Sequence, residues 1–493
     1  MIRHLLAFTL GLAALGTRSA LAAPDRPNIL HIVADDLGWK DVGFNGGTDI
    51  KTPNLDALAG GGAKFSQFYC QSICTPTRAA LMTGRYPLRY GLQTIAIPGP
   101  ATYGLDTAEV LLPQVLKEAG YQTAIIGKWH LGHADQKFWP RQRGFDYQYG
   151  PMIGELDYFT HSDAGVRDWF RNNQVVHEEG YTTQLLGADA VKYIESQDGK
   201  KPFFLYLTFN APHTPYQAPE AYVAKYAHLP DPTRRTYAGM VDCLDENIGK
   251  VVAALERKGL RENSLIFFHS DNGGTRNALF AGQMADLSKV VLPCDNGPYR
   301  EGKGTLYEGG HRVAACANWP GKIKPGTVSG LFHAVDILPT YAALAGASTA
   351  KCKPLDGMNV WSTIAENQPS PRTELLYNVE PFRAGIRQGD WKLIWRNLLP
   401  SSVELYNLAL DPYEKNNLAA AHPEKIASLQ ARAEAWAKEA AKPFALMYIA
   451  KVGLAHGKPI LATAGGEAAV RVEPNDPSIT DEGVGSRDRF AHP

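Results

Sequence analysis

Cys74-Thr75-Pro76-Thr77-Arg78 set a cysteine, a proline and an arginine in the spacing C-x-P-x-R, directly before a helix-like run that reaches Arg85. Thr75 is suited to cap a helix and Pro76 to its first position. Cys74 then sits at the positive end of a helix dipole, where an anion is welcome, and Arg78 adds a fixed charge one turn away. Asp35-Asp36 and Asp271-Asn272 offer hard oxygen ligands of the kind that hold Ca²⁺ or Mg²⁺. Either pair alone reads equally well as a cap on a turn. No Cys/His spacing suits a structural zinc. Lys128 and Lys303 supply cations, and His130 and His213 supply imidazoles that follow strand-like runs. His133, His161 and His269 read as packing or surface residues.

The elements that must position these groups alternate between apolar strands and helices. Strand-like runs cover 28–34, 123–126, 203–209 and 264–269. Helix-like stretches cover 111–119 and 235–258. Short apolar runs of this kind, separated by amphipathic stretches, predict an α/β sheet of mostly parallel strands. Each polar cluster follows a strand, and open α/β sheets gather ligands beyond the carboxyl ends of their strands. Residues far apart in sequence are thereby placed on one rim.

The 493 residues carry 50 Lys+Arg against 50 Asp+Glu, a formal net charge of zero. That balance argues against nucleic acid or a membrane surface as a general partner. Residues 1–23 read as an export signal: Arg3, an apolar run over 5–15, then small residues near Ala20 and Ala23. A soluble, periplasmic or extracellular mature chain with no membrane span is the expectation. Six cysteines stand at 70, 74, 243, 294, 316 and 352. If Cys74 is kept for chemistry, five remain, at least one stays unpaired, and the sequence does not assign bridges. A boundary is expected near 367–371. Strand-like pieces over 384–387, 391–395 and 404–407 and a helix over 423–442 follow it. The expected division is a main domain over 24–370, a C-terminal unit over 371–464, and a Gly/Asp/Glu/Pro-rich tail over 465–493.

Together these clusters resemble the sulfatase family of the alkaline-phosphatase-like superfamily, from Pro27 to about Lys438. The markers run in family order: Asp35-Asp36, Cys74-Thr-Pro-Thr-Arg78, Thr83-Gly-Arg85, Gly127-Lys-Trp-His-Leu-Gly132, Ala211-Pro-His213, Ser270-Asp-Asn-Gly-Gly274, and Lys303 ahead of Glu308-Gly-Gly310. Trp391-Lys-Leu-Ile and Glu404-Leu-Tyr-Asn-Leu408 are also sulfatase-like, and several segments look closest to the arylsulfatase B-like branch. The resemblance implies an α/β fold with a large, mostly parallel mixed sheet flanked by helices, and a smaller C-terminal α+β subdomain on a short antiparallel sheet.

The resemblance also implies roles. A maturation enzyme would oxidise Cys74 to formylglycine, whose hydrate attacks sulfur with one hydroxyl and releases sulfate with the other. Asp35, Asp36, Asp271 and Asn272, with the matured Cys74, would hold one divalent cation, Ca²⁺ first and Mg²⁺ second. Arg78 and Lys128 would steady the nucleophile, and Lys128, His213 and Lys303 would grip the sulfate. Asp271 would accept the first proton, His213 with Lys303 would protonate the leaving alcohol, and His130 would act in the release step. The substrate would be a sulfated carbohydrate or aryl sulfate. With the cation counted, positive charge exceeds the three carboxylates by two units, so charge alone also admits a phosphate or phosphonate ester. A catalytically silent glycan binder and a redox pair of Cys70 with Cys74 are the readings from other classes; C-x₃-C is not the usual redox spacing.

Two departures from the family pattern stand out. Thr77 occupies a place usually held by serine. An insert over 275–298, containing Cys294, separates Asn272 from Lys303 and is expected to shape the pocket. The segment 157–161 also resembles one near the family's pocket, which makes His161 a weaker candidate contact.

Overall fold

The computed structural model describes residues 26–276, 292–397 and 400–448, with the backbone of Ala462–Ala464 and Glu467–Ala469. The expected signal segment 1–23 lies outside the described residues. So does the expected tail, apart from Glu467–Ala469, which pairs antiparallel with Ala462–Ala464.

Asn28–Ala34 is buried along its whole length, as its unbroken apolar run requires. It lies between Phe203–Thr208 and Ser264–Ser270, parallel to both. Gln122–Gly127 runs parallel on the far side of Phe203–Thr208, and Ala315–Asn318 runs antiparallel beside Ser264–Ser270. Among the described residues these belong to one ten-stranded mixed sheet with a mostly parallel centre. The register pairs Ala34 with Ser270, Val33 with Thr208, and Thr208 with Gly127. Four strands therefore end level, and Asp35, Asp271, Lys128 and Asn210 leave from a single rim.

Alternating side chains give the sheet two apolar faces. Leu30, Ile32, Leu205 and Leu207 pack with Tyr237, Val241 and Leu244 of the helix Pro232–Arg257. Ile29, Val33, Phe204 and Tyr206 pack with Ala79, Leu81 and Met82 of the helix Cys74–Thr83, and with Leu338 and Tyr341 of Ile337–Ala345. The long helix starts upstream of the expected 235 because Asp231 caps it, accepting from the Thr233 N–H, with Pro232 at its first position. The helix expected over 111–119 spans Leu112–Glu118.

A four-stranded antiparallel sheet, Glu374–Val379, Arg383–Gln388, Trp391–Arg396 and Ser402–Asn407, forms the C-terminal part. The last three fall on the expected strand-like pieces, and the first is an addition to them. Glu374–Val379 is covered on both faces and so carries no polar alternation. Leu376 meets Leu429, Ala433 and Trp436 of the helix Pro423–Lys438, while Leu375 and Tyr377 meet Tyr69 and Leu306 of the main body. That helix stops four residues short of the expected 442. Lys392 crosses the same seam with its buried ammonium 3.0 Å from Glu308 and 2.7 Å from Glu414. Among the described residues no helix is long and apolar enough to cross a membrane. All six cysteines are free thiols.

Candidate active site

The helix Cys74–Thr83 begins at Cys74 itself, behind an extended Ile73. This corrects the expected cap. The Thr75 hydroxyl donates to the His130 carbonyl at 3.0 Å and accepts from the Ile97 N–H at 3.1 Å. Pro76 is the third helical residue, where its missing N–H is still one of the four without an intrahelical partner. The cysteine nonetheless stands at the helix N-terminus, 1% exposed. Burial and the Asp35 carboxylate push its thiol well above the ordinary range, so it is not a thiolate nucleophile at neutral pH.

Asp35 and Asp36 leave the central strand, and the ligand atoms of Asp35, Asp36, Cys74 and His213 all lie within 4.8 Å of one another. Cys74 Sγ is 3.5 Å from Asp35 Oδ1, and the Lys128 ammonium is bonded to Asp35 Oδ2. Lys128 reaches this point because Gly127 turns at φ 113°, where a Cβ would lie 1.8 Å from the Thr208 carbonyl oxygen. Arg78 clasps Asp271 Oδ2 through Nε at 3.1 Å and Nη2 at 2.9 Å, and its Nη1 donates to the Lys128 carbonyl at 3.0 Å and to the Thr208 hydroxyl. Asp271 Oδ1 accepts from the Asp36 N–H at 3.3 Å. Burial, then Asp35, raises Asp271 to about 6 against the pull of Arg78.

Lys303 lies 2.8 Å from Asp36 Oδ2 and 3.0 Å from His213 Nε2. Against the cost of burial, Lys303 and then His213 hold the Asp36 carboxyl well below its ordinary value. Burial and Lys303 lower His213 to about 3. His213 Nδ1 is 2.7 Å from the Thr214 carbonyl, which makes Nδ1 the donor and leaves Nε2 to accept from the Lys303 ammonium.

His130 is fixed beside the Cys74 helix by its backbone, at φ 57°. Its imidazole bonds no other candidate side chain. Nε2 donates to the Ile97 carbonyl at 3.0 Å, and Nδ1 is buried without a partner. The tautomer this sets carries its lone pair on Nδ1.

Whether this cluster suits a divalent cation is decided by Asn272. Its Nδ2 donates to Asp36 Oδ1 at 2.7 Å, but its Oδ1 is buried and accepts no hydrogen bond. A buried amide oxygen beside three buried carboxylates is a hard-oxygen donor set that fits Ca²⁺ or Mg²⁺.

The family model described as "Sulfatase" matches residues 27–347. The chain belongs to the sulfatase family. This sulfatase is 37% identical over 401 residues to arylsulfatase J of Mus musculus, an alignment covering 79% of this chain and 64% of that protein. It therefore spans a little under two thirds of that relative's length. It is 36% identical to N-acetylgalactosamine-6-sulfatase of Mus musculus over 403 residues, covering 77% of this chain and 74% of that one. The solved structure of Ps i-CgsB in complex with k-i-k-neocarrahexaose superposes with a TM-score of 0.77 at 35% identity, covering 85% of this chain and 94% of that chain.

In this sulfatase two hydroxyls complete the site without a spacing signal to announce them: Thr208 on Arg78, and Thr275 on Asp36 Oδ2 at 2.8 Å. The described end of the insert borders the site, with Cys294 Sγ 3.9 Å from the Asp36 carbonyl and 4.0 Å from the Tyr216 hydroxyl; residues 277–291 lie outside the described residues. His161 stacks on Trp169 with ring centroids 4.6 Å apart, His133 bonds the Gly99 carbonyl, and His269 bonds His31. Among the described residues, neither His161 nor His269 hydrogen-bonds a candidate site side chain.

Proposed function

We propose that this protein is an exported hydrolase of O-sulfate monoesters on a sulfated glycan, with a formylglycine formed from Cys74 and one bound divalent cation, Ca²⁺ before Mg²⁺. The observation that carries the proposal is the convergence of Cys74, Asp35, Asp36 and His213 within 4.8 Å, flanked by buried Lys128 and Lys303. A thiol raised by burial is a poor nucleophile there, whereas maturation would supply an aldehyde hydrate with one hydroxyl to attack sulfur and another to release sulfate. Asp35, Asp36, Asp271 and Asn272 would hold the cation, which supplies Lewis-acid charge for the reacting oxygens.

The remaining work falls to side chains already in place. Arg78 and Lys128 offset the carboxylates and orient Asp271 and Asp35. Asp271, oriented by Arg78, would take the nucleophile's proton. Lys303 and His213 form the donor pair for the leaving oxygen, the lysine carrying the proton. His130 Nδ1 has the bare lone pair that the release step needs.

A glycan substrate is supported by two of the relatives, an N-acetylgalactosamine-6-sulfatase and a protein solved with neocarrahexaose bound, while arylsulfatase J keeps an aryl sulfate as the second reading. Export through residues 1–23 and a formylglycine-generating partner belong to the same proposal. The test is hydrolysis of paired sulfate and phosphate monoesters by protein matured in its native host. Sulfate hydrolysis by wild type and its loss in Cys74→Ala are expected; a large preference for phosphate, or full activity in Cys74→Ala, contradicts the reading.

A further inference from the structure

Asn210 follows the strand Phe203–Thr208, three residues ahead of His213. It is 2% exposed, and neither its Oδ1 nor its Nδ2 has a hydrogen-bond partner. Among the described residues it is the one buried side-chain amide left bare at both ends. Burying an amide in that condition costs free energy comparable to the hydrogen bonds it lacks, so such a group calls for a reason.

Its direction follows from the sheet. Phe209 and Ala211 lie in the core on the Pro232–Arg257 side, while Tyr206 lies in the core beneath the Cys74 helix and Thr208 meets Arg78 on that same side. Alternation places Asn210 with Tyr206 and Thr208, one step beyond the Arg78–Thr208 contact toward the rim. Its backbone is fixed relative to the acid. The Asn210 carbonyl accepts from the His213 N–H at 2.9 Å, and the Tyr158 hydroxyl lies 2.8 Å from that carbonyl and 2.9 Å from the His213 carbonyl.

A carboxamide offers one acceptor and a donor together. A sulfate group presents acceptors only, and the site already supplies the Lys128 and Lys303 ammonium groups for those. A group that satisfies both ends of Asn210 must also donate and accept, as a hydroxyl does. We propose that Asn210 is a specificity-determining residue that binds a free sugar hydroxyl neighbouring the scissile sulfate ester. The substrate class is then a sulfated sugar with an adjacent unsulfated hydroxyl, a group that a phenyl sulfate lacks. The inference rests on the sulfatase reading and deepens it.

The test uses the full-length, matured enzyme and its Asn210→Leu variant, which removes both polar atoms at nearly constant volume. Initial rates are measured on 4-nitrophenyl sulfate and on a panel of galactose and N-acetylgalactosamine monosulfates, and both proteins are melted. On the preferred sugar sulfate, kcat/KM should fall about 10- to 100-fold further than on 4-nitrophenyl sulfate. The melting temperature should hold or rise, because an unpaired buried amide gives way to an apolar isostere. Equal losses on both substrates, or a lowered melting temperature, would make Asn210 structural and overturn the inference. Wild type that cleaves 4-nitrophenyl sulfate but none of the sugars overturns it while leaving the sulfatase reading intact. Wild type inactive on every sulfate overturns the sulfatase reading itself.

Discussion

The Lys303 ammonium stands 3.0 Å from His213 Nε2, whose ring turns its other nitrogen to the Thr214 carbonyl at 2.7 Å. The imidazole is thereby an acceptor from the lysine, and in the proposed mechanism the proton for a departing alcohol would enter through Lys303. Replacing Lys303 with Met should lower kcat/KM by about 10²- to 10⁴-fold on a sugar sulfate. The loss should be smaller on 4-nitrophenyl sulfate, whose leaving group needs less protonation. Rates across a series of leaving groups check this. A loss independent of leaving-group pKa would assign Lys303 to sulfate binding alone.

Asn272 Oδ1 and the three buried carboxylates make a second prediction. Chelation should abolish activity and lower the melting temperature, and added Ca²⁺ should restore both. At free cation about 100-fold above its dissociation constant the stabilisation is about 2.7 kcal/mol. In Asp36→Ala the Ca²⁺-dependent shift in melting should disappear. Calorimetry with and without Ca²⁺ reads both effects directly.

Lys392 joins the C-terminal sheet to the main body. Its ammonium is 0% exposed between Glu308 and Glu414, and Glu308 also accepts from the Tyr69 and Tyr377 hydroxyls. The residues after Glu308 meet the loop that follows Asn272: Gly273 N–H donates to the Gly310 carbonyl at 3.0 Å, and a Cβ on Gly273 would lie 1.7 Å from the Gly309 oxygen. Lys392→Met should destabilise the fold by about 3–5 kcal/mol, because it leaves buried Glu414 without its cation and Glu308 with the more distant Arg312 at 3.5 Å. Adding Glu308→Gln and Glu414→Gln should recover part of that loss. Denaturant melts of the single and triple variants provide the comparison.

Asp168 carries a pH dependence away from the cation cluster. Burial raises its carboxyl to about 7, although the Met152 and Ile153 N–H groups donate to it at 2.8–3.1 Å. The folded value exceeds the unfolded one, so the folded state binds more protons between about pH 4 and 7. Its contribution to stability is full below that window and is lost as pH rises through it. Asp168→Asn should match wild type near pH 4.5 and exceed it by about 1 kcal/mol or more at pH 8. Urea melts at the two pH values measure the difference.

Much of this site was legible in the sequence because each cluster is a short polar word at the end of an apolar run. Asn28–Ala34, followed at once by Asp35-Asp36, fixes both a strand and the point where its ligands emerge. What escaped was whatever lacks a spacing. The Thr208 and Thr275 hydroxyls find Arg78 and Asp36 only through the fold. Glu374–Val379 escaped because a strand covered on both faces shows no alternation. Thr75-Pro76 looked like the start of a helix, yet Cys74 leads it and the Thr75 hydroxyl serves the His130 carbonyl instead.

The central claim is that sulfate-ester hydrolysis depends on matured Cys74, not on its thiol. Across preparations made with differing amounts of maturation enzyme, mass spectrometry of the Cys74 peptide gives the fraction carrying the aldehyde, to be plotted against sulfate released per enzyme. A straight line through the origin is the predicted result. Undiminished sulfate release from protein whose Cys74 is wholly unmodified thiol would contradict the account.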